Sequence, residues 1–172
     1  YVNQKYGEFD SLPYSFHLKM VLAQGLKFQH LLDPIQELLG NTIVIKKLLP
    51  VCLVGHDLIE DARMTYNDVV DMCRKYGTYN FFGSDFIADV IYAVTDEKGR
   101  NRKERKSDEF YAELKLNEVA VFVKLADTAA NILYSKSFDT PQYRMYKKEF
   151  VNLKEKLYLP IFDDMFNYIE SL

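Results

Sequence analysis

Apolar residues recur along this chain at spacings of three and four positions, and long stretches of alternating apolar and polar residues are scarce. A spacing of three and four is typical of helices that bury one face. Seven glycines and five prolines leave little material for the tight turns of hairpins. The pattern therefore predicts an all-α fold, with one domain over residues 1–172 built as a bundle of about eight helices.

Prolines, glycines and capping residues divide the pattern into elements. The predicted helices span residues 15–29, 34–39, 50–62, 65–77, about 84–94, 107–115, 117–135 and 140–158, and a last helix follows Pro160 and ends near residue 171. Thr65 is expected to cap its helix, with Asp68 as the capping-box partner, and Gly77 to end it. Pro50 is expected in a first helical turn, where proline is tolerated. Residues 95–106 are expected to form a polar loop.

Composition narrows the class of protein. Hydrophobic residues make up 48% and charged residues 27%, which is the balance of an ordinary globular domain and not of a disordered chain. The net charge of −3 gives no general support for a nucleic-acid partner. No apolar run approaches the roughly 20 residues that span a bilayer, so we expect no membrane partner. Two cysteines, Cys52 and Cys73, lie in apolar stretches, which favours a reducing, cytoplasmic setting.

Ionisable residues concentrate in the segment Gly55-His56-Asp57-Leu58-Ile59-Glu60-Asp61-Ala62, directly after an apolar run. On a helix, His56 and Glu60 share one face, and Asp57 and Asp61 form a parallel pair about 100° around. Buried carboxylates and imidazoles are costly unless they are paired or bind a metal. His and Asp offer nitrogen and oxygen ligands to Mn²⁺, Fe²⁺ or Zn²⁺. The alternative is the solvated end of a helix, with both aspartates facing water.

Two other segments carry isolated polar residues of the same kind. His17 follows Pro13-Tyr14 in the first turn of a predicted helix, and Asp127 interrupts an apolar helix that places Asn131 one turn later. Alone, His17 could be a capping or partly exposed residue, and Asp127 a buried hydrogen-bonding one. Their occurrence on three predicted helices, in this order, favours a shared site.

The ordered set His, His-Asp and Asp resembles the HD-domain metal-dependent phosphohydrolases. It is most similar to the hydrolase domain of RelA/SpoT-type alarmone enzymes and to small stand-alone hydrolases like the metazoan SpoT homologue. The resemblance covers about residues 5–134. It rests on Pro13-Tyr14 with His17, on His56-Asp57 with Glu60-Asp61, on Val94-Thr95-Asp96-Glu97 followed by Glu104-Arg105-Lys106, and on Lys124-Leu125-Ala126-Asp127 with Asn131.

The resemblance implies a function and a site. The function is Mn²⁺-dependent hydrolysis of a phosphorylated nucleotide, most specifically removal of the 3′-pyrophosphate of (p)ppGpp to leave GDP or GTP. The implied metal ligands are His17, His56, Asp57 and Asp127, and the implied catalytic residues are Glu60 and Asp61. The implied substrate-binding residues are Asn131 and Lys5, together with Arg102, Arg105 and Lys106 of a locally basic loop. That loop could equally be a solvated connection.

Two positions depart from the alarmone-hydrolase pattern. The stretch from Tyr6 to Asp10 lacks the arginine that packs on the purine in those enzymes, and Thr128 stands where a basic residue usually follows the last aspartate. Both changes leave the metal and hydrolytic residues in place. Two alternatives therefore remain: an HD phosphatase acting on another nucleotide such as NADPH, and a non-catalytic module that binds a nucleotide.

Overall fold

A computed structural model describes residues 4–6, 12–77, 81–96 and 106–172. The described helices are α1 (Ser15–Phe28), α2 (Asp33–Leu39), α3 (Ile45–Gly55), α4 (Tyr66–Tyr76), α5 (Phe81–Val94), α6 (Asp108–Lys115), α7 (Glu118–Ser137), α8 (Gln142–Leu157) and α9 (Asp163–Ser171). Short 3₁₀ turns at Gln29–Leu32 and Pro160–Phe162 precede α2 and α9. The predicted all-α class is confirmed. None of the helices in these ranges is long and apolar enough to cross a membrane.

Helix α7 lies at the centre of the bundle. Its sequence is apolar on most of its circumference, as expected of a helix enclosed by others, and α1, α3, α5, α6, α8 and α9 all pack against it. Asn117 caps its first turn by accepting a hydrogen bond from the backbone N–H of Ala120. Asp127 and Asn131, which interrupt the apolar pattern, therefore lie in the middle of the bundle.

Helices α1 and α3 approach closely at Gly25. A Cβ built on Gly25 would lie 2.3 Å from Cδ1 of Leu53, nearer than any side chain tolerates. The missing side chain lets the last turns of α1 lie against α3, and the first turn of α1 lies next to the end of α3. His17 and His56 occupy those two places.

The prediction of a helix over 50–62 was wrong at both ends. Helix α3 begins at Ile45, because Gln36 of α2 caps it: the Gln36 Oε1 atom accepts from Ile45 N at 2.7 Å. Pro50 lies inside the helix instead of in its first turn. The regular helix ends at Gly55, and residues 56–62 form turns in which Leu58 N donates to Gly55 O at 2.9 Å. The ionisable segment is therefore not a stripe on a regular helix.

Other predicted helix boundaries lie closer to those of the structure. The capping box of Thr65 and Asp68 is present, and α4 ends before Gly77 as expected. Helix α5 begins at Phe81, three residues before its predicted start near residue 84. Two short antiparallel strands, β1 (Lys5–Tyr6) and β2 (Leu12–Pro13), pair Lys5 with Pro13 and Tyr6 with Leu12. Strands of two residues are too short for an alternating pattern to reveal.

Candidate metal centre

Four ligand atoms converge where α1, the turns after α3, and α7 meet. His56 Nε2 lies 2.8 Å from Asp57 Oδ2 and 3.7 Å from Asp127 Oδ1. His17 Nε2 lies 3.4 Å from His56 Nε2, 3.4 Å from Asp127 Oδ1 and 3.8 Å from Asp57 Oδ2. Each imidazole is only 4% exposed. The structure thus brings together the four residues that the sequence proposed as metal ligands.

His56 is oriented by the backbone of its own helix. Its Nδ1 atom lies 2.8 Å from the carbonyl oxygen of Leu53, a partner that requires Nδ1–H and leaves Nε2 facing the carboxylates. Burial disfavours a charged imidazole, but the hydrogen bond to Asp57 and the charge of Asp127 outweigh burial and raise the pKa of His56 to about 9. The cluster therefore favours a positive charge at this position.

The two aspartates are held as carboxylates. Burial alone would raise the pKa of Asp57, but the hydrogen bond and charge of His56 and a hydrogen bond from Tyr14 lower it. The pKa of Asp127 is also lowered against burial, by hydrogen bonding to His17 and by the charges of His56, His17 and Lys124. Both side chains therefore offer anionic oxygens to the centre of the cluster.

The donor set suits a divalent transition metal. The ligand atoms of His17, His56 and Asp57 all lie within 4.8 Å of one another. Ligands about 2.1 Å from a six-coordinate ion lie about 3 Å from their neighbours, and the observed separations are 2.8–3.8 Å, with four of the five longer than 3 Å. Two imidazole nitrogens and two carboxylate oxygens match Mn²⁺, Fe²⁺ or Zn²⁺ and leave positions open on a six-coordinate ion.

Glu60 lies in a cleft of about 240 Å³ beside the four ligands. Partial burial and the charge of Asp96 raise the pKa of Glu60 to about 7, while the charge of Lys124 opposes the shift. A carboxyl group with a pKa near neutrality can both accept and return a proton at physiological pH. Asp61 also lines the cleft, and its Oδ2 atom accepts a hydrogen bond of 2.8 Å from Gln4 Nε2.

Lys124 brings a positive charge to the same cleft. Burial disfavours its ammonium group, but the charges of Asp127, Asp96 and nearby carboxylates raise its pKa, so the group is held as a cation. Lys124 and Asp96 have no role in the site predicted from sequence, although both belong to segments that carry the family resemblance. Sequence spacing alone could not indicate that α7 turns Lys124 toward the carboxylates of two other segments.

Only some of the predicted substrate-binding residues lie at the cleft. Asn131 is engaged within the protein, because its Nδ2 donates to Asp127 Oδ1 at 2.6 Å and its Oδ1 accepts from the Tyr6 hydroxyl at 2.9 Å. Lys106 lines the same cleft as Glu60, and its Nζ atom lies 2.7 Å from Oε2 of Glu149. Lys5 lines a neighbouring cavity of about 220 Å³. Arg102 and Arg105 lie outside the described residues.

Sequence reasoning also missed aromatic and C-terminal residues at the site. Tyr6 and Tyr14 contact the ligand cluster, and Tyr146 and Glu149 of α8 line the cleft. Tyr14 stands in a quoted motif, but its hydroxyl partner is 43 residues away. Tyr143, Tyr146 and Phe150 follow helical spacing, and that spacing cannot distinguish a helix face packed on a core from one that lines a cleft.

No protein-family model, curated protein or solved structure matches this chain.

Proposed function

We propose that this protein is a metal-dependent phosphohydrolase of the HD type that acts on a phosphorylated nucleotide. The main support is the clustering of the ligand atoms of His17, His56, Asp57 and Asp127, whose separations are 2.8–3.8 Å. Beside them lies the carboxyl group of Glu60, whose pKa is raised to about 7. A bare binding module requires the ligands but not Glu60, so the combination favours catalysis.

The residues divide into those that hold the cation and those that handle protons. His17, His56, Asp57 and Asp127 would hold Mn²⁺ or a similar ion. Such an ion supplies Lewis-acid polarisation of a phosphoryl oxygen and acidifies water. Glu60 accepts a proton from the attacking water at its ionised carboxylate, which is a general-base role.

The rest of the reaction balances through the same groups. Water oxygen bonds to phosphorus, the bond from phosphorus to the leaving oxygen breaks, and the leaving oxygen takes up the proton that Glu60 accepted from the water. Asp61 lies within the cleft and is our candidate for assisting this proton delivery. Excluding bulk water from a cleft strengthens each of these electrostatic interactions.

Cationic side chains in the cleft favour a phosphorylated substrate. Lys124 and Lys106 both line it, and ammonium groups bind phosphate oxygens well. The most specific form of the proposal is hydrolysis of the 3′-pyrophosphate of (p)ppGpp, with Mn²⁺ as the cofactor. The stretch from Tyr6 to Asp10 lacks the arginine found in the alarmone enzymes. Its absence motivates a second substrate for the same site, NADPH or another nucleotide.

The test is chromatographic analysis of products after incubation of purified protein with ppGpp and Mn²⁺. We expect release of GDP and pyrophosphate, which is abolished by EDTA and by Asp57→Ala. The matched control is Asp71→Ala, an exposed carboxylate on α4, which should retain the wild-type rate.

Other results separate the alternatives. No turnover of ppGpp, but metal-dependent phosphate release from NADPH or another nucleotide in a panel, would support the second substrate. Tight nucleotide binding by the Mn²⁺-loaded protein without any product would refute the hydrolase proposal and support the binding module. Undiminished turnover in Asp57→Ala would refute the assigned metal centre.

A further inference from the structure

The segment before α1 contributes little to the core, yet its polar side chains reach the metal centre. We call this segment, residues 4–6 and 12–14, the N-terminal hairpin; its ends are joined where Tyr14 N donates to Gln4 O at 3.1 Å. Of its described residues only Tyr14 is buried. The hydroxyl of Tyr14 donates to Asp57 Oδ2, and the hydroxyl of Tyr6 donates to Asn131 Oδ1 at 2.9 Å. The two tyrosine hydroxyls of the hairpin therefore both reach polar residues of the site.

The contact of Tyr6 continues to a proposed metal ligand. Asn131 receives the Tyr6 hydroxyl at its oxygen and donates from its nitrogen to Asp127 Oδ1 at 2.6 Å. The amide of Asn131 is thereby fixed in one orientation, because a flipped amide would place its oxygen against the ionised carboxylate of Asp127, which has no proton to donate. A chain of two hydrogen bonds thus runs from the hairpin to the carboxylate of Asp127.

The two histidines of the cluster are oriented in different ways. The Nδ1 atom of His56 has the carbonyl of Leu53 as its partner. The Nδ1 atom of His17 is buried and has no hydrogen-bond partner among the residues that the structure describes. A metal-binding histidine almost always donates its second N–H to a partner that fixes the ring. His17 therefore needs another constraint on its ring plane.

Tyr6 supplies that constraint by stacking. Its ring lies 4.7 Å from the His17 ring, centroid to centroid, at an interplanar angle of 26°. The Tyr14 ring contacts the same imidazole from 5.4 Å at 54°. Two tyrosine rings thus enclose His17, and their hydroxyls lead to the carboxylates of Asp127 and Asp57.

We propose that Tyr6 and Tyr14 are positioning residues of the metal centre, which hold His17, Asp57 and Asp127 in the geometry that binds a cation. The inference rests on the metal site of the proposed function. Tyr6 acts through ring stacking on His17 and through Asn131, whereas Tyr14 acts directly on Asp57. Loss of such supporting partners typically costs roughly 10- to 100-fold in metal affinity or activity.

The test measures Mn²⁺ affinity of the full chain, by calorimetry and by the EPR signal of free Mn²⁺, without substrate. We expect Tyr14→Phe and Tyr6→Phe each to weaken binding about tenfold. Tyr6→Leu, which also removes the stacked ring, should weaken it further. The matched control is Tyr66→Phe, which removes a tyrosine hydroxyl from Asp89 at 2.8 Å on the distant α4–α5 pair and should leave affinity unchanged.

The controls separate a failed inference from a failed metal site. If wild-type protein binds Mn²⁺ and both Phe variants bind within about twofold of Tyr66→Phe, well below the expected loss, the positioning role is refuted. If wild-type protein binds no Mn²⁺, the metal centre itself is refuted and the inference with it. Equal thermal midpoints of the metal-free Phe variants and Tyr66→Phe, together with weakened binding, would support positioning and exclude a general loss of folding.

Discussion

Adding Mn²⁺ to the metal-free protein should release close to one proton from His56. The pKa of His56 is raised to about 9 by Asp57 and Asp127, so at about pH 7.5 some 97% of the imidazole carries a proton. A metal ligand must be a neutral imidazole, and binding therefore displaces that proton. Asp57 and Asp127 release none, because their pKa values are lowered and they are already ionised.

Calorimetry in two buffers measures the released proton directly. The apparent binding enthalpy in HEPES and in Tris should differ by close to the full difference in the two ionisation enthalpies. Because a proton competes for His56, affinity should also rise about tenfold for each pH unit up to about pH 9. His30→Ala, which removes an exposed histidine, should behave as wild type. Equal enthalpies in both buffers, or affinity independent of pH between about 6.5 and 8.5, would show that His56 is not the protonated ligand.

The raised pKa of His56 also makes the stability of the metal-free protein depend on pH. The pKa of His56 is higher in the folded state than its ordinary value of 6.5. Its contribution is therefore complete below about pH 6.5 and is lost as pH rises to about 9, a change on the order of 3 kcal/mol. Urea unfolding across this range should show falling stability without metal. In His56→Ala the decline should be much smaller, and an unchanged slope would contradict the assignment.

Four other predictions concern Glu60, Gly25 and Thr65. Glu60→Gln should keep Mn²⁺ affinity but lower kcat by at least about 100-fold, and steady-state kinetics that show a raised KM with unchanged kcat would argue against a general base. Wild-type kcat should fall as pH drops below about 7, because Glu60 with its raised pKa becomes protonated there. Gly25→Ala should cost about 1–3 kcal/mol in urea unfolding, since the new methyl group meets Leu53, and unchanged stability would mean that α1 and α3 separate freely. Thr65→Ala should cost about 1 kcal/mol while Thr65→Ser retains the cap, and equal losses in both would contradict the capping role.

The family resemblance implies the full set of four proposed ligands, whereas the apolar pattern alone singles out only His56-Asp57 and Asp127. Asp127 stands in a helix that is otherwise buried around most of its surface, and His56-Asp57 follow the buried turns of α3. Burial makes such residues costly unless something compensates them, and this cost is visible in the pattern alone. The fold class followed from the same periodicity, since α7 and its neighbours keep the three-and-four spacing throughout.

Contacts between distant segments could not be predicted in the same way. The start of α3 depends on Gln36, nine residues before the N–H that it caps. The Tyr6 and Tyr14 hydroxyls find partners 125 and 43 residues away. Neither residue breaks a periodic pattern, so nothing local sets it apart from a core tyrosine. Such partners become visible only when the helices are packed.

The wrong helix boundary at Gly55 bears on how the centre is built. Neighbouring residues on a regular helix point about 100° apart, yet His56 Nε2 and Asp57 Oδ2 lie 2.8 Å from each other. The hydrogen bond from Leu58 N to Gly55 O shows a tighter, 3₁₀-type turn at this point. A Cβ on Gly55 would lie 2.8 Å from Ile91 Cδ1, so the glycine lets this turn lie against α5. The end of α3 is therefore part of the proposed metal centre, because it directs two consecutive proposed ligands to one point.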